Sequence, residues 1–471
     1  MTVACPDSWK RLDKPPTVAV WVDPQVVMPA VEEVAPLTIN GELFVEYGRL
    51  EWDGGQPRVV VGERLNLPPR TPVTLVIYGD WPGALDGQEA AGKALGEVLE
   101  GLALQGESRG LKVLGLHLEI LDVQDLESFA TVLSAAQGEL APELFLSVSL
   151  PRQWFGDENL RQIADAVDFF VPLLYGQRPG ASIWDPAWTL SHVVEEARQV
   201  DALGRDFLVG VSVVGTAIFD PKAGVSGVRT RGTLRELALS PGLELVPGFS
   251  LSGIDGRRYT FRALGGVRFA GERLSLGQTL DVVGLGLINL EDYHAAMAAA
   301  GFAHYRGEVF YRLLAPEERF LLSRQQLPPI LRREKPRPEM IVEVLPQDSR
   351  GGRHRFQVAV VNTGQQATEI ASIDHNFLEL TALDAYFSDA DRGQFQRYQL
   401  LSRGGDGQVR ATLRQARVLR FFRPILDLGD RVTSGSIRIT AAGSDPRVRV
   451  GGSFLLPDGE IFTIPAQEWR P

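Results

Sequence analysis

The stretch 111–122, LKVLGLHLEILD, determines how the rest of the chain is interpreted. Side chains alternate between the two faces of a β-strand, so the apolar positions 116, 118 and 120 share one face. The other face carries His117 and Glu119. An imidazole and a carboxylate are costly on a buried strand unless their face meets water or a ligand. The stretch therefore predicts a strand whose second face opens on a binding site.

The composition excludes several classes of protein. With 471 residues and 44% hydrophobic side chains, the chain can form two or three domains with real cores. The net charge of −11 argues against a nucleic-acid partner. One cysteine and six dispersed histidines give no disulfide framework and no metal site, and we expect no cofactor. No apolar run approaches the roughly 20 residues that span a bilayer.

Up to position 327, apolar strands alternate with amphipathic helices. The predicted strands are 18–22, 42–48, 73–79, 111–121, 144–150, 168–175, 207–215 and 307–313. The predicted helices are 25–34, 88–106, 126–136, 159–166 and 190–202. Such alternation indicates parallel pairing under a cover of helices. Eight strands favour an α/β fold with a closed (β/α)₈ TIM-like barrel over 16–327, after a tail at 1–15. The rival, an open doubly wound sheet, has no GxGxxG motif to support it.

Three later regions have different patterns. Residues 224–283 are rich in short strands and turns, which predicts a β-rich insertion before the last barrel unit. The segment 328–338, PPILRREKPRP, predicts a stiff linker. Beyond it, 339–471 shows only short strands separated by turns such as Asn362-Thr363-Gly364. That pattern predicts an all-β sandwich of immunoglobulin-like type.

Six motifs follow one another in a recognisable order: VAVWV (18–22), GLHLE (115–119), SVSLPRQW (147–154), VDFFVPLLYG (167–176), GVSVVG (210–215) and RGEVFYRLL (306–314). In this order the chain resembles the family-18 (chitinase-type) glycoside hydrolases. It resembles more closely an uncharacterised bacterial envelope family with a related barrel. The resemblance implies a polysaccharide or oligosaccharide as the ligand.

The resemblance also implies that the usual catalytic acid is missing. The family's fourth strand carries a glycine, two aspartates and a glutamate at alternate positions, here occupied by Gly115, His117, Glu119 and Leu121. Leucine cannot protonate a leaving glycosidic oxygen. The family's Tyr-Asp pair on the sixth strand is Tyr175-Gly176 in this chain.

Other side chains near the strand ends are candidates for the site, because such barrels react at the carboxyl ends of their strands. The catalytic candidates are Glu119, Tyr175 and Asp122. The ligand-binding candidates are Trp21, Asp80, Trp81, His117, Ser149, Arg152, Trp154, Gln177 and Glu308, and Trp184 and Trp188 extend a rim of indoles suited to sugar rings. The alternatives are a Glu119 salt bridge to Arg152 or Arg312, a hydrogen-bonded core histidine, and tryptophans that pack loops.

Three functions are compatible with these patterns. The first is a glycan-binding protein built on a degenerate glycoside-hydrolase-like barrel, the second an active glycoside hydrolase with relocated carboxylates. The third is a structural or assembly protein of the cell envelope. Val3-Ala4-Cys5 is similar to the end of a lipoprotein signal, which implies membrane attachment through a lipidated Cys5 in the bacterial periplasm or outer membrane. The alternative for Cys5 is a free thiol.

Overall fold

The computed structural model describes residues 17–23, 34, 37, 41–62, 66–83, 85–174, 190–219, 227–246, 257–336, 338–350, 353–371, 375–403, 409–412, 416–441 and 446–470. The chain divides into two compact units. The first comprises Met1–Gly232, Pro247–Thr260 and Leu280–Arg333, and the second Thr233–Val246, Phe261–Thr279 and Glu334–Pro471. Parts of the predicted insertion thus group with the second unit.

The elements before the linker are given in chain order. The strands are β1 (Thr17–Val22), β2 (Gly41–Asp53), β3 (Gln56–Val61), β4 (Pro72–Gly79), β5 (Lys112–Glu119), β6 (Phe145–Leu150), β7 (Phe169–Pro172), β8 (Asp206–Ser212), β9 (Thr216–Phe219), β10 (Gly227–Arg229), β11 (Gly232–Thr233), β12 (Leu243–Leu245), β13 (Arg257–Ala263), β14 (Val267–Phe269), β15 (Glu272–Leu274), β16 (Thr279–Gly284), β17 (Tyr305–Tyr311) and β18 (Glu318–Arg319). The helices are α1 (Gln88–Ser108), α2 (Leu126–Gln137), α3 (Leu160–Asp165), α4 (Leu190–Asp201), α5 (Leu234–Leu239), α6 (Leu287–Ala300) and α7 (Leu327–Leu331).

The first unit contains a closed barrel of parallel strands. Its strand order is β1-β17-β8-β7-β6-β5-β4-β2, and β2 pairs with β1 to complete the ring. Every pairing around this ring is parallel. The predicted (β/α)₈ barrel is confirmed. The predicted helix 25–34 falls almost entirely outside the described residues.

The two faces of the barrel strands bury different sets of side chains. The outward residues Leu116 and Leu118 join the large core that lies between the barrel and its helices. The inward residues Trp21, Phe44 and Phe145 belong to a separate, smaller core inside the barrel. The alternation predicted for β5 is therefore confirmed, with its apolar face outward and His117 inward.

Glycines allow the helices α1 and α2 to pack closely. A Cβ atom on Gly92 of α1 would lie 2.5 Å from the Val132 carbonyl oxygen of α2. One on Gly96 would lie 2.6 Å from the Ala136 carbonyl oxygen. Since real Cβ atoms essentially never approach so closely, larger residues here would push the helices apart.

One feature of the barrel was not predicted. Strand β2 runs for 13 residues and turns back into β3, with which it pairs in antiparallel fashion. The turn places Gly54 and Gly55 at φ values of 56° and 82°, which favour glycine. The sequence prediction ended this strand at 48, although Asp-Gly-Gly between apolar runs is a hairpin signal.

The segment between β8 and β17 is rich in antiparallel strands. In the first unit, β9 pairs with β10 and β16. In the second unit, β12 pairs with β13, and β14 with β15. Helix α5 begins at a capping box, in which the Thr233 hydroxyl accepts from Glu236 N–H while the Glu236 carboxylate accepts from Thr233 N–H. No helix of the described residues is long and apolar enough to cross a membrane.

The rest of the second unit consists of two antiparallel sheets. Its strands are β19 (Met340–Arg350), β20 (Arg353–Asn362), β21 (Phe377–Ala382), β22 (Ala385–Ala390), β23 (Arg397–Arg403), β24 (Val409–Ala411), β25 (Val418–Phe422), β26 (Arg431–Thr433), β27 (Ile437–Ala441), β28 (Val448–Leu455) and β29 (Ile461–Trp469). The sheet orders are β19-β20-β27-β22 and β24-β23-β25-β21-β28-β29. Inward side chains such as Phe356, Leu380 and Phe421 form a shared core. The predicted all-β sandwich is confirmed.

Candidate functional site

The barrel interior carries ionisable groups on two of its strands. Alternation directs Glu42 and Glu46 of β2 and His117 and Glu119 of β5 inward. Because parallel strands run in one direction, the later residue of each pair lies nearer the carboxyl end of the barrel. Glu46 and Glu119 therefore face this end, which we call the mouth, and Glu42 lies towards the opposite end.

Three carboxyl groups at that end, which we call the mouth cluster, lie near enough to raise one another's pKa: Asp23, Glu46 and Glu119. Burial raises the pKa of Glu119 to about 8, and the carboxyl groups of Glu46 and Asp23 add to the increase. Burial and the charge of Asp23 raise the pKa of Glu46 to about 7. A hydrogen bond from Trp21 and the charge of Arg312 act in the opposite direction and lower it. Burial and the neighbouring carboxyl groups thus favour the neutral acid form of both Glu119 and Glu46.

Two aromatic residues border the mouth cluster. Trp21 Nε1 donates to Glu46 Oε1 at 3.0 Å, and the Trp21 ring meets the edges of His117 and Tyr311 at centroid distances of 5.4 and 5.8 Å. Burial raises the pKa of Tyr311 to about 12, and Glu119 and Glu46 raise it further. The Tyr311 hydroxyl therefore stays protonated and can donate a hydrogen bond at the mouth.

The cation beside the mouth is bound to another group. Arg312 holds Glu318 through two hydrogen bonds of 2.9 Å each. Arg152, the other proposed partner of Glu119, donates through Nε to Glu196 at 3.0 Å and through a terminal nitrogen to the Leu174 carbonyl at 2.7 Å. Within the described residues no cation pairs with Glu119. The alternative of a Glu119 salt bridge to either arginine is wrong.

Below the mouth, His117 is fully buried between two serines. Its Nδ1 lies 2.9 Å from Ser147 Oγ and its Nε2 lies 2.9 Å from Ser149 Oγ. Ser147 Oγ also donates to the Leu116 carbonyl at 3.3 Å, so it accepts from Nδ1–H, and Ser149 donates to Nε2. Burial lowers the pKa of His117 to about 3. The histidine is a neutral core residue, which agrees with the alternative to a catalytic role.

The prediction that Glu308 belongs to this site is wrong. Glu308 lies on β17 beside the outward Phe310, so its side chain points away from the barrel interior. Its two carboxylate oxygens accept from Arg333 at 3.0 and 3.1 Å, and one also accepts from the Tyr305 hydroxyl. Glu308 is a buried structural anion on the outer face.

Two of the predicted rim indoles do not line the mouth. Trp81 and Trp154 both pack against Phe129 in α2, at ring-centroid distances of 4.9 and 5.8 Å. Both are buried within the core outside the barrel, and Trp52 of the β2–β3 hairpin meets Trp81 at 5.6 Å. The loop-packing alternative is correct for these two residues.

Of the remaining candidates, some are exposed and the others lie outside the described residues. Asp80 follows β4 and pairs with Arg49 at 2.8 Å, with 84% of its side chain exposed. Asp122 is exposed and accepts from Gln124 at 2.7 Å, and Leu121 beside it is also exposed. Outside the described residues lie Cys5, Tyr175, Gly176, Gln177, Trp184 and Trp188.

Sequence reasoning missed Asp23, Glu46, Tyr311 and Ser147. The signal was the same alternation that identified Glu119. In ELFVEYG, Glu46 stands two residues after the inward Phe44, and Asp23 stands two after Trp21. No group of three potential metal ligands occurs in the described part of the chain.

No family model and no curated protein sequence matches the chain. Solved structures with a similar fold include the spore cortex-lytic enzyme SleL of Bacillus cereus, with 13% identity, 67% of this chain and 73% of that chain covered, and a TM-score of 0.45. A chitinase of Chromobacterium violaceum has 14% identity, coverages of 64% and 94%, and a TM-score of 0.39. A family-18 chitinase of Cycas revoluta in complex with (GlcNAc)₄ has 13% identity, coverages of 67% and 98%, and a TM-score of 0.39. These likenesses concern the fold alone.

Proposed function

We propose that the mouth of the barrel binds an oligosaccharide, with Glu46, Glu119 and Tyr311 as its hydrogen-bonding groups. The observation that supports this function is the mouth cluster, in which Glu119 has no cationic partner among the described residues. Buried polar groups without partners are costly, and such groups gather at binding sites.

The protonation state of the cluster suits a neutral ligand rich in hydroxyl groups. A protonated carboxyl group offers one donor and one acceptor side by side, and a sugar hydroxyl is itself both donor and acceptor. Burial favours this neutral form at Glu119 and Glu46. The Tyr311 hydroxyl, also protonated, supplies a further donor.

Isothermal titration with (GlcNAc)₄ and with neutral oligosaccharides of other linkages tests this function. Glu119→Leu removes both hydrogen bonds and should weaken binding by about tenfold or more. Glu119→Gln keeps a donor and an acceptor, so it should bind nearly as well as the parent at pH 6. At pH 9 the parent should bind more weakly, because Glu119 ionises near pH 8, while Glu119→Gln should not.

The matched control is Glu42→Gln. Glu42 is a second buried carboxyl on β2, hydrogen-bonded to Thr74, with its pKa raised to about 7 by burial. It lies away from the mouth, so its substitution should leave affinity unchanged. Absence of binding to every oligosaccharide, or equal affinity in Glu119→Leu and the parent, would rule out the proposed function.

The second candidate is glycoside hydrolysis by relocated carboxyl groups. It is favoured by the raised pKa of Glu119, because a carboxyl group protonated at neutral pH can act as a general acid on a glycosidic oxygen. Asp23 or Glu46 would supply the second carboxyl. Hydrolysis requires turnover that Glu119→Gln abolishes while binding persists. Binding without turnover in the parent supports a sugar-holding barrel instead.

A further inference from the structure

A second unusual site lies in the all-β unit, around the buried guanidinium of Arg423. This residue follows β25 and is only 7% exposed. One terminal nitrogen donates to the Gln394 carbonyl at 2.8 Å. Its Nε is buried and has no partner within the described residues. Most of the five N–H donors of this side chain are therefore unused.

The charge around Arg423 is also incompletely balanced. The nearby anion is Asp430, whose Oδ2 already accepts from Arg235 Nε at 3.1 Å and from Asp427 N–H at 3.0 Å. Burial lowers the pKa of Arg423; Asp430 opposes this effect, and Arg235 adds to it. Asp430 thus pairs with Arg235, and it acts on the buried Arg423 only through its charge.

Other arginines of the same sheet are satisfied by the protein itself. Arg420, three residues earlier, donates to Glu379 at 2.6 Å and lies over the Phe377 ring at 4.5 Å from its centroid. Its charge is paired with a carboxylate, and 30% of its side chain is exposed to solvent. Arg423 differs because it is almost fully buried, its Nε has no partner within the described residues, and the nearby carboxylate is paired with Arg235.

We propose that Arg235 and Arg423 form a binding site for an oxyanion, a carboxylate or a phosphate group, whose oxygens accept from the unused guanidinium donors. Guanidinium groups match the paired oxygens of both anions. The Arg235 side chain is 44% exposed, so this end of the site is open to solvent. Arg235 and Arg423 carry two positive charges, and Asp430 carries one negative charge. The bound anion would supply the second negative charge.

Thermal unfolding of the full chain, titrated with inorganic phosphate or with glucuronate at constant ionic strength, tests the site. The parent should show a saturable rise in its unfolding temperature, because a ligand that binds only the folded state stabilises it. Arg423→Gln should lose the rise. Arg235 is partly exposed, so Arg235→Gln should disturb folding less. This variant should bind the anion about tenfold more weakly than the parent. Arg420→Gln is the matched control and should keep the rise.

Comparing the two anions distinguishes a carboxylated ligand from a phosphorylated one. A response to glucuronate alone indicates a carboxylated ligand, and a response to phosphate alone indicates a phosphorylated one. Equal rises in the parent, Arg235→Gln and Arg423→Gln would overturn the proposal, as would no rise with either anion. A purely structural role for Arg423 predicts that Arg423→Gln destabilises the chain by the same amount with and without anion, which would also overturn it.

Discussion

The inner and outer faces of the barrel strands accommodate buried carboxyl groups in two different ways. On the outer face, Glu308 is fully buried and pairs with Arg333 at 3.0 Å. Arg152 and Glu196 form another close pair on this side of the barrel. On the inner face, Glu42, Glu46 and Glu119 have hydrogen bonds or like charges nearby but no arginine bound directly.

The difference separates structural groups from responsive ones. A carboxylate in a buried ion pair already has its partner within the protein, so an outer-face pair needs no ligand. A carboxyl group neutralised by protonation instead titrates near neutral pH, as burial makes Glu42 and Glu46 do with pKa values of about 7. The inner face is therefore where a ligand or a proton can change the state of this protein.

The largest expected loss of stability follows from disrupting the ion pair on the outer face. Arg333→Gln leaves the Glu308 carboxylate buried without its cation, and we expect a loss of about 3–4 kcal/mol in the free energy of unfolding. Urea unfolding at pH 7 measures it. The double variant Glu308→Gln with Arg333→Gln should recover more than half of the loss, because no buried charge remains. Equal losses in the single and double variants would mean that packing, rather than charge, explains this region.

The next effect concerns the inner face and its response to pH. Burial raises the folded-state pKa of Glu42 to about 7 from an ordinary value of 4.5. Its contribution to stability is thus fully present below pH 4.5 and is lost as the pH rises through 7. The loss is on the order of 3 kcal/mol. Glu42→Gln should remove this share of the pH dependence. If the free energy of unfolding depended on pH in the same way in Glu42→Gln and in the parent, this prediction would be wrong.

The periodicity of the sequence was sufficient to predict the barrel and the inward face of β5. It identified Glu119 because His117 and Glu119 interrupt an apolar strand. It failed for Glu308, because GEVFY is apolar on both faces and alternation alone does not say which face is inside. The decisive partner, Arg333, lies 25 residues further along the chain.

The tryptophans show the same limit for packing. An indole after a strand end can line a cleft or lie beneath a helix, and local sequence does not distinguish the two. Phe129, on a helix distant in sequence from Trp81, decides the outcome by packing against both Trp81 and Trp154. Contacts between elements, rather than patterns within them, determine which side chains reach a site.

The smallest expected effect tests the neutral network inside the barrel. Ser147→Ala removes the acceptor of the His117 Nδ1–H, and we expect a loss of about 1 kcal/mol in the free energy of unfolding. The proton should then move to Nε2, which can still donate to Ser149 Oγ, 2.9 Å away. Nitrogen-15 shifts of the imidazole report this exchange of tautomers directly. A histidine that becomes protonated near pH 6 in the parent would contradict the network, because burial lowers the pKa of His117 to about 3. A neutral imidazole at every accessible pH would mean that, on the inner face, the carboxyl groups alone respond to protons.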